Sequence, residues 1–337
     1  MSARVLVTGG AGFIGSHLVD ALVDAGDAVT VLDDFSTGSR ANLVDASSKG
    51  DVQIVEGSIL NPEIVSQVMK DCDQVFHLAV SCVRRSIGYP RQSHEINATG
   101  TLIVLEAARK AGVSRFVYCS SSEVYGNASD GLLREYETSC QPQTVYGGSK
   151  LAGEAYTEGY YHTYGLPCVV VRPFNAYGPR SHLQGDLAEV IPRFVIRILN
   201  GLPPIIFGDG SHGRDFTYVT DIARGVFLAG KSDELVGERL NIAFGKMISI
   251  SEVSKMIMQA CNRNDLSPEY MQGRPGDVFV LNADTTRCEK LLGYKARIKF
   301  DDGIQKYIEF FKAKHLDLPS LLEEEVVNWS LLSKVEK

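Results

Sequence analysis

Apolar residues in the first half of the chain fall in short, unbroken runs rather than in alternation. Such runs cover Arg4–Thr8, Ala28–Asp33, Val52–Glu56, Gln74–Ala79, Arg115–Ser120 and Cys168–Arg172, and they predict strands whose two faces are both covered. Between the runs the spacing becomes helical. Ile14, Leu18, Ala21, Leu22 and Ala25 share one face of a helix that Gly26 stops. Pro62 lies just inside the start of a second helix, and the pattern predicts a third over about 92–111 and a fourth over 146–164. Strands alternating with helices predict a parallel, doubly wound α/β sheet with right-handed crossovers. A ligand of such a sheet sits outside the carboxyl ends of the strands, where the strand order reverses.

From Pro173 the rhythm breaks. Pro179, Pro192, Pro203-Pro204, Gly208 and Gly210 interrupt short helices and strands, which predicts a smaller α/β substrate-binding lobe that closes over the first. The expected division is a cofactor domain over 1–172, to which about 215–243 returns, and a substrate lobe over 173–214 and 244–315. The tail over 316–337, with LPSLLEEEVVNWSLLSKVEK, is amphipathic and acidic; it is expected to pack or to cover a surface, and it carries no assigned chemistry.

Composition narrows the class. The net charge is −7 and no run of Lys or Arg is dense enough to neutralise a phosphate backbone, which excludes nucleic acid as a partner. The seven cysteines are scattered without a CxxC pair, which fits reduced thiols and no metal site. No basic-then-apolar leader follows Met1, and no stretch approaches the ~18 apolar residues that span a bilayer. The expectation is a cytoplasmic protein without a membrane segment.

The first chemical signal is Thr8-Gly9-Gly10-Ala11-Gly12-Phe13-Ile14-Gly15, directly after the first strand and opening the first helix. Gly9 permits the tight turn, Gly12 lets backbone approach a pyrophosphate, and Gly15 lets helix and strand pack closely, as in Rossmann dinucleotide sites. Asp33 ends the second strand, where a carboxylate accepts bonds from a ribose 2′-hydroxyl and repels a 2′-phosphate. This order predicts NAD rather than NADP. In the following turn Asp34, Ser36 and Gly38 are candidates for the adenosine side.

The second signal is Tyr146-Gly-Gly-Ser-Lys150, which puts a phenol and an ammonium on one face of a helix. Among 14 tyrosines that spacing alone says little, but it falls on the helix after the fifth strand, whose end supplies Ser120, Ser121, Ser122 and Glu123. There Lys150 and a positive nicotinamide are expected to acidify the phenol. Bringing it from about 10 to about 7 takes about 4 kcal/mol of differential stabilisation.

Together these residues resemble the extended short-chain dehydrogenase/reductases that act on nucleotide sugars. The resemblance spans about residues 3–310 through TGGAGFIGSHL (8–18), HLA (77–79), NATGT (97–101), SSSEVYG (120–126), YGGSK (146–150), RPFNAYGPR (172–180), GDGSHGRDFTYVTD (208–221), NIA (241–243) and RPGD (274–277). It implies cofactor contacts at Gly9, Gly12, Phe13, Ile14, Gly15, Asp33, Asp34, Ser36, Gly38, Ser58, Ile59, Leu78, Ala79, Asn97, Ser120, Tyr146, Lys150 and Pro173. It implies substrate contacts at Ser81, Cys82, Arg84, Ser121, Asn175, Arg180, Phe207, Arg214 and Arg274, with the last two clamping a pyrophosphate. A homodimer through the helices near 92–111 and 147–164 is implied as well. Two departures stand out: Ser58 replaces the family's common Asp at the adenine, and Val80-Ser81-Cys82 follows HLA where Ala and Gln are common.

In that family Tyr146 would take the O4 proton while C4 gives up a hydride. Epimerisation at C4 of a UDP-sugar is the first expectation. Ser122 stands where a dehydratase carries its acid, and a hydroxyl is a poor general acid. Glu123 keeps dehydration and decarboxylation open, because a simple epimerase does not need it. A non-catalytic NAD sensor is a further alternative, against which both Tyr146 and Lys150 are present.

Overall fold

The computed structural model describes residues 2–127, 131–322, 326–327 and 329. Six strands lie where the apolar runs predicted them: β1 (Arg4–Thr8), β2 (Ala28–Asp33), β3 (Val52–Glu56), β4 (Gln74–His77), β5 (Arg115–Cys119) and β6 (Cys168–Pro173). With a further strand, Arg239–Ile242, they form a seven-stranded sheet in the order Arg239–Ile242, β6, β5, β4, β1, β2, β3. Every pairing is parallel. The order reverses between β1 and β4, and the cleft opens there.

Both faces of the sheet are covered. One apolar cluster joins Val5, Val7 and Val31 to Leu18 and Leu22 of the helix Phe13–Asp24 and to Val226 of the helix Val219–Lys231. The other joins Leu6, Val75 and Phe116 to Val104 and Leu105 of the helix Gly100–Ala111. Thus residues 219–242 rejoin the first sheet. The predicted helix over 92–111 is a composite: Pro90–His94, a π-helical turn Glu95–Thr99, then Gly100–Ala111. Such π turns gather at functional sites, and this one holds Asn97.

The second lobe has its own core. Phe194 and Ile198 of the helix Val190–Leu199, Val253 and Ile257 of Ile250–Ala260, and Ile304 and Tyr307 of Phe300–Ala313 meet Phe216 and Tyr218. Its strands are short: Ile205–Phe207 pairs with Glu269–Met271, while Gly213–Asp215 pairs with both Met247–Ser249 and Val280–Leu281. No helix among the described residues is long and apolar enough to cross a membrane, and no cluster of His, Cys, Asp or Glu could hold a metal ion.

Candidate active site

The glycine turn is forced by close packing. Gly9 has φ +70°, and a Cβ there would lie 2.7 Å from the Ala79 nitrogen at the end of β4. A Cβ on Gly15 would lie 2.1 Å from the Gly9 oxygen, so any other residue would push the helix away from the turn. Gly12 at the helix N-cap offers no side chain, and the first turn carries no acid, which leaves its N–H groups to an anion. Asp33 braces the turn: one carboxylate oxygen accepts from the Ala11 N–H at 2.9 Å and the other from the Phe35 N–H at 2.9 Å. Burial raises this carboxyl above its ordinary value, against the lowering effect of those two bonds.

The reactive groups come from β5 and the helix Val145–Tyr164. Thr144 caps that helix by accepting the Gly147 N–H at 3.1 Å. A buried ion pair fixes the helix to the sheet: Arg172 of β6 donates to both carboxylate oxygens of Glu154, at 2.9 and 2.6 Å, with neither side chain more than 2% exposed. Ser121 accepts the Glu123 N–H at 3.2 Å and caps the turn Ser122–Val124. Its hydroxyl also lies near enough to the Tyr146 phenol to favour the phenolate. The Ser120 hydroxyl is buried with no partner among the described residues.

The expected acid phenol is not made by the protein's own charges. Burial drives Tyr146 well above the ordinary phenol value, and the Ser121 hydroxyl only partly offsets it. Lys150 sits one helical turn away as predicted, yet its ammonium lies 4.4 Å from the centre of the Tyr118 ring and acts as a cation over that face. Burial pushes Lys150 down to about 8. Among the described residues Lys150 has no ion-pair partner.

These groups open into one cavity of about 320 Å³. Of the predicted cofactor residues, Gly9, Gly12, Phe13, Ile14, Gly15, Asp33, Asp34, Ser36, Ser58, Ile59, Leu78, Ala79, Ser120, Tyr146, Lys150 and Pro173 line it. So do Ser121, Ser122, Glu123, Cys82, Arg84 and Asn175. A second cavity of about 190 Å³ shares Glu123, Arg84 and Asn175 with the first and adds Phe207, Arg214 and Arg274. Arg214 and Arg274 both donate to one oxygen of Asp277, at 2.8 and 2.6 Å. Burial opposes the charge on Asp277, but the two guanidinium groups hold its carboxyl below the usual range.

Glu123 stands where the two cavities meet. It is buried, and its Oε2 has no partner among the described residues. Burial raises its carboxyl above the ordinary value although Arg274, Arg214 and Arg84 favour its charge.

Four predicted contacts lie elsewhere. Arg180 pairs with Asp20 on the first helix at 2.7 Å, beside a bond between His17 and the Pro179 carbonyl at 3.0 Å, and it staples the lobes rather than facing the cavity. Asn97 is spent on structure: its Oδ1 accepts the Ser81 N–H at 2.8 Å, and its Nδ2 donates to the Ser81 carbonyl at 3.0 Å and the Ser149 hydroxyl at 3.1 Å. Ser81 therefore sits behind the wall that Cys82 lines. Gly38 backs Asp33, where a Cβ would meet its Oδ1 at 2.9 Å. The sequence reading missed His182 and Glu189, which line the first cavity with His182 Nδ1 3.2 Å from Glu189 Oε1, and Trp329, which lines the second. The pairing of His182 with Glu189 has no motif; a tail tryptophan amid polar residues was the one available hint.

A parallel sheet with a glycine turn at its switch point and a Tyr–Lys helix beside it defines a dinucleotide-binding enzyme scaffold. The model of the NAD dependent epimerase/dehydratase family matches residues 5–243, and the chain belongs to that family, within the extended short-chain dehydrogenase/reductases. The UDP-glucose 4-epimerase of Mycolicibacterium smegmatis is 36% identical over 317 residues, which are 92% of this chain and 99% of that protein. A dTDP-glucose 4,6-dehydratase of Streptomyces niveus is 32% identical over 92% of this chain and 93% of its own length. Decarboxylases of nucleotide-linked uronates also match. Among solved structures, an epimerase of Methanothermobacter thermautotrophicus superposes with a TM-score of 0.88 at 34% identity, covering 95% of each chain. A Thermus thermophilus UDP-glucose 4-epimerase solved with NAD gives 0.83 at 32% identity, covering 92% of this chain and 99% of that one. NAD is the family's cofactor. The Gly9–Gly15 cradle, the unpartnered Ser120 hydroxyl and the carboxylate-free Lys150 fit it here.

Proposed function

We propose that this chain is an NAD-dependent 4-epimerase of a UDP-sugar, working through a transient 4-keto sugar. The observation that carries the reading is continuity: the cavity of the glycine turn and Tyr146 runs into the cavity of Arg214 and Arg274 through shared walls at Glu123, Arg84 and Asn175. A dinucleotide on one side and a sugar diphosphate on the other would meet beside Tyr146. The paired guanidinium groups suit a diphosphate, to which each offers several donors.

When bound, NAD would supply the hydride acceptor for C4 and, once reduced, the hydride donor for the opposite face of the ketone. Tyr146 Oη takes the proton of the C4 hydroxyl as the C–H bond breaks, and gives it back as the hydroxyl re-forms. Ser121, close to that same Oη, shares the proton and orients the reacting oxygen. Lys150, on the same helix as Tyr146 and over the Tyr118 ring, would hold the ribose side of the cofactor. Since burial otherwise raises the phenol, Tyr146 becomes a base only when the ternary complex brings further positive charge beside it.

One observation favours a second reading. Glu123 is a buried carboxyl aimed at the substrate junction, and a lyase would use it on C5 of the keto sugar. Ser122 beside it is a buried hydroxyl, and no second carboxyl adjoins it in that turn. Incubation with UDP-, dTDP- and GDP-hexoses and the corresponding hexuronates, followed by NMR and mass spectrometry, separates these outcomes. A C4 epimer of unchanged mass supports the first reading; loss of water or of carbon dioxide overturns it. We infer too that the helices Gly100–Ala111 and Val145–Tyr164, which expose Leu102, Tyr156 and Tyr164, form a homodimer contact that light scattering would detect.

A further inference from the structure

The chain beyond the last long helix returns to the substrate cavity. Asn200 Nδ2 donates to the Leu318 carbonyl at 3.0 Å and Gln184 Nε2 to the Ser320 carbonyl at 2.9 Å. Arg193, on the helix Val190–Leu199, donates to the Val326 carbonyl, and its guanidinium lies 5.8 Å from the centre of the Phe207 ring. Three residues further on, Trp329 meets that same ring, with centroids 4.7 Å apart and planes at 75°. The two aromatic planes form a corner, and both line the cavity that holds Arg214 and Arg274.

The cavity is chemically divided. Arg214, Arg274 and Asp277 make one end charged, while Ile205, Phe207 and Trp329 make the other apolar and aromatic. A nucleoside diphosphate has the same division, with its phosphates drawn to guanidinium groups and its planar base to aromatic faces. We propose that Trp329, packed edge-on against Phe207, is a base-binding residue that forms the outer wall of the nucleobase pocket. The tail is then part of the substrate site. This rests on the nucleotide-sugar reading above and adds to it a residue outside the segment matched by the family model.

Trp329 is the single tryptophan of the chain, so selectively excited tryptophan fluorescence reports on this site alone. Titrating the purified full-length protein with UDP is expected to change the emission along a saturable curve whose Kd equals the calorimetric one. Trp329→Ala should weaken UDP about five-fold or more, since a base stacked on an aromatic is worth that much on truncation. Trp329→Phe should recover most of the loss. Inorganic pyrophosphate, which lacks a base, should bind wild type and Trp329→Ala equally, and bound NAD content should not change. Equal UDP affinity in wild type and Trp329→Ala, with emission unmoved at saturation, overturns the proposal while leaving the nucleotide-sugar reading intact. No calorimetric binding of UDP, dTDP or GDP to wild type overturns both.

Discussion

Glu123→Gln separates the two reactions this site could perform. The amide keeps the shape of the carboxyl and can still line the junction, but it neither takes nor gives a proton. If Glu123 is a wall, the change alters one hydrogen bond to substrate, worth about 0.5–1.5 kcal/mol, and kcat for C4 inversion falls at most about ten-fold. If Glu123 works as an acid or base on C5, the loss is about 10²–10⁴-fold, or about 3–5 kcal/mol. The thresholds do not overlap. The account expects the smaller effect, measured as kcat for a UDP-hexose with the product identified by NMR. Folding gives an independent check. Burial raises the Glu123 carboxyl, so its contribution to stability is fully present below the ordinary value near 4.5 and is lost as pH rises through the raised one. The Gln variant should therefore melt higher than wild type at neutral pH, and this advantage should vanish as pH falls toward about 4.5. A drop of 100-fold or more in turnover, with the wild-type product lighter than the hexose substrate by water, would refute the wall role.

Two other outcomes follow from the same structure. Gly15→Ala brings a Cβ to 2.1 Å from the Gly9 oxygen, so the purified variant should lose its bound NAD, measured by release and chromatography, and should unfold about 1–3 kcal/mol more easily. His77 is buried between Thr8 Oγ1 at 2.7 Å and Thr101 Oγ1 at 2.9 Å, and burial pushes it down to about 3. The unfolded chain then binds the extra proton as pH falls through 6.5, so stability at pH 5.5 is about 1.4 kcal/mol below its value well above that pH; His77→Gln should flatten that slope in a urea titration.

Much of this was legible in the sequence because burial on both faces leaves an unbroken apolar run. The same rule explains where the reading overshot. The run continues past the end of β4 because Leu78, whose N–H still donates to the Thr8 carbonyl of β1 at 3.0 Å, and Ala79 pack on the glycine turn and line the cavity. The strand Arg239–Ile242 sits at the sheet edge and is too short for its period to show. Within the site, the glycine turn, Asp33 and the Tyr146–Lys150 pair are local in sequence, and local spacing is readable. The pairing of Arg180 was not readable because its partner, Asp20, lies in a helix far earlier in the chain. The direction of the Lys150 ammonium was likewise unreadable, since the ring it covers, Tyr118, comes from β5. Trp329 reads as one more apolar residue of an amphipathic tail until the fold brings it to Phe207.

The central claim is that Tyr146 Oη moves the proton of a sugar hydroxyl beside the bound cofactor. Adding a UDP-hexose to the NAD-loaded protein and following the absorbance of reduced cofactor tests it most directly, with Tyr146→Phe as the comparison. The account predicts a small, rapid reduction in wild type and a rate lower by about 10²–10⁴-fold in the variant, with NAD content unchanged. Reduction and C4 inversion at the wild-type rate in Tyr146→Phe would contradict it.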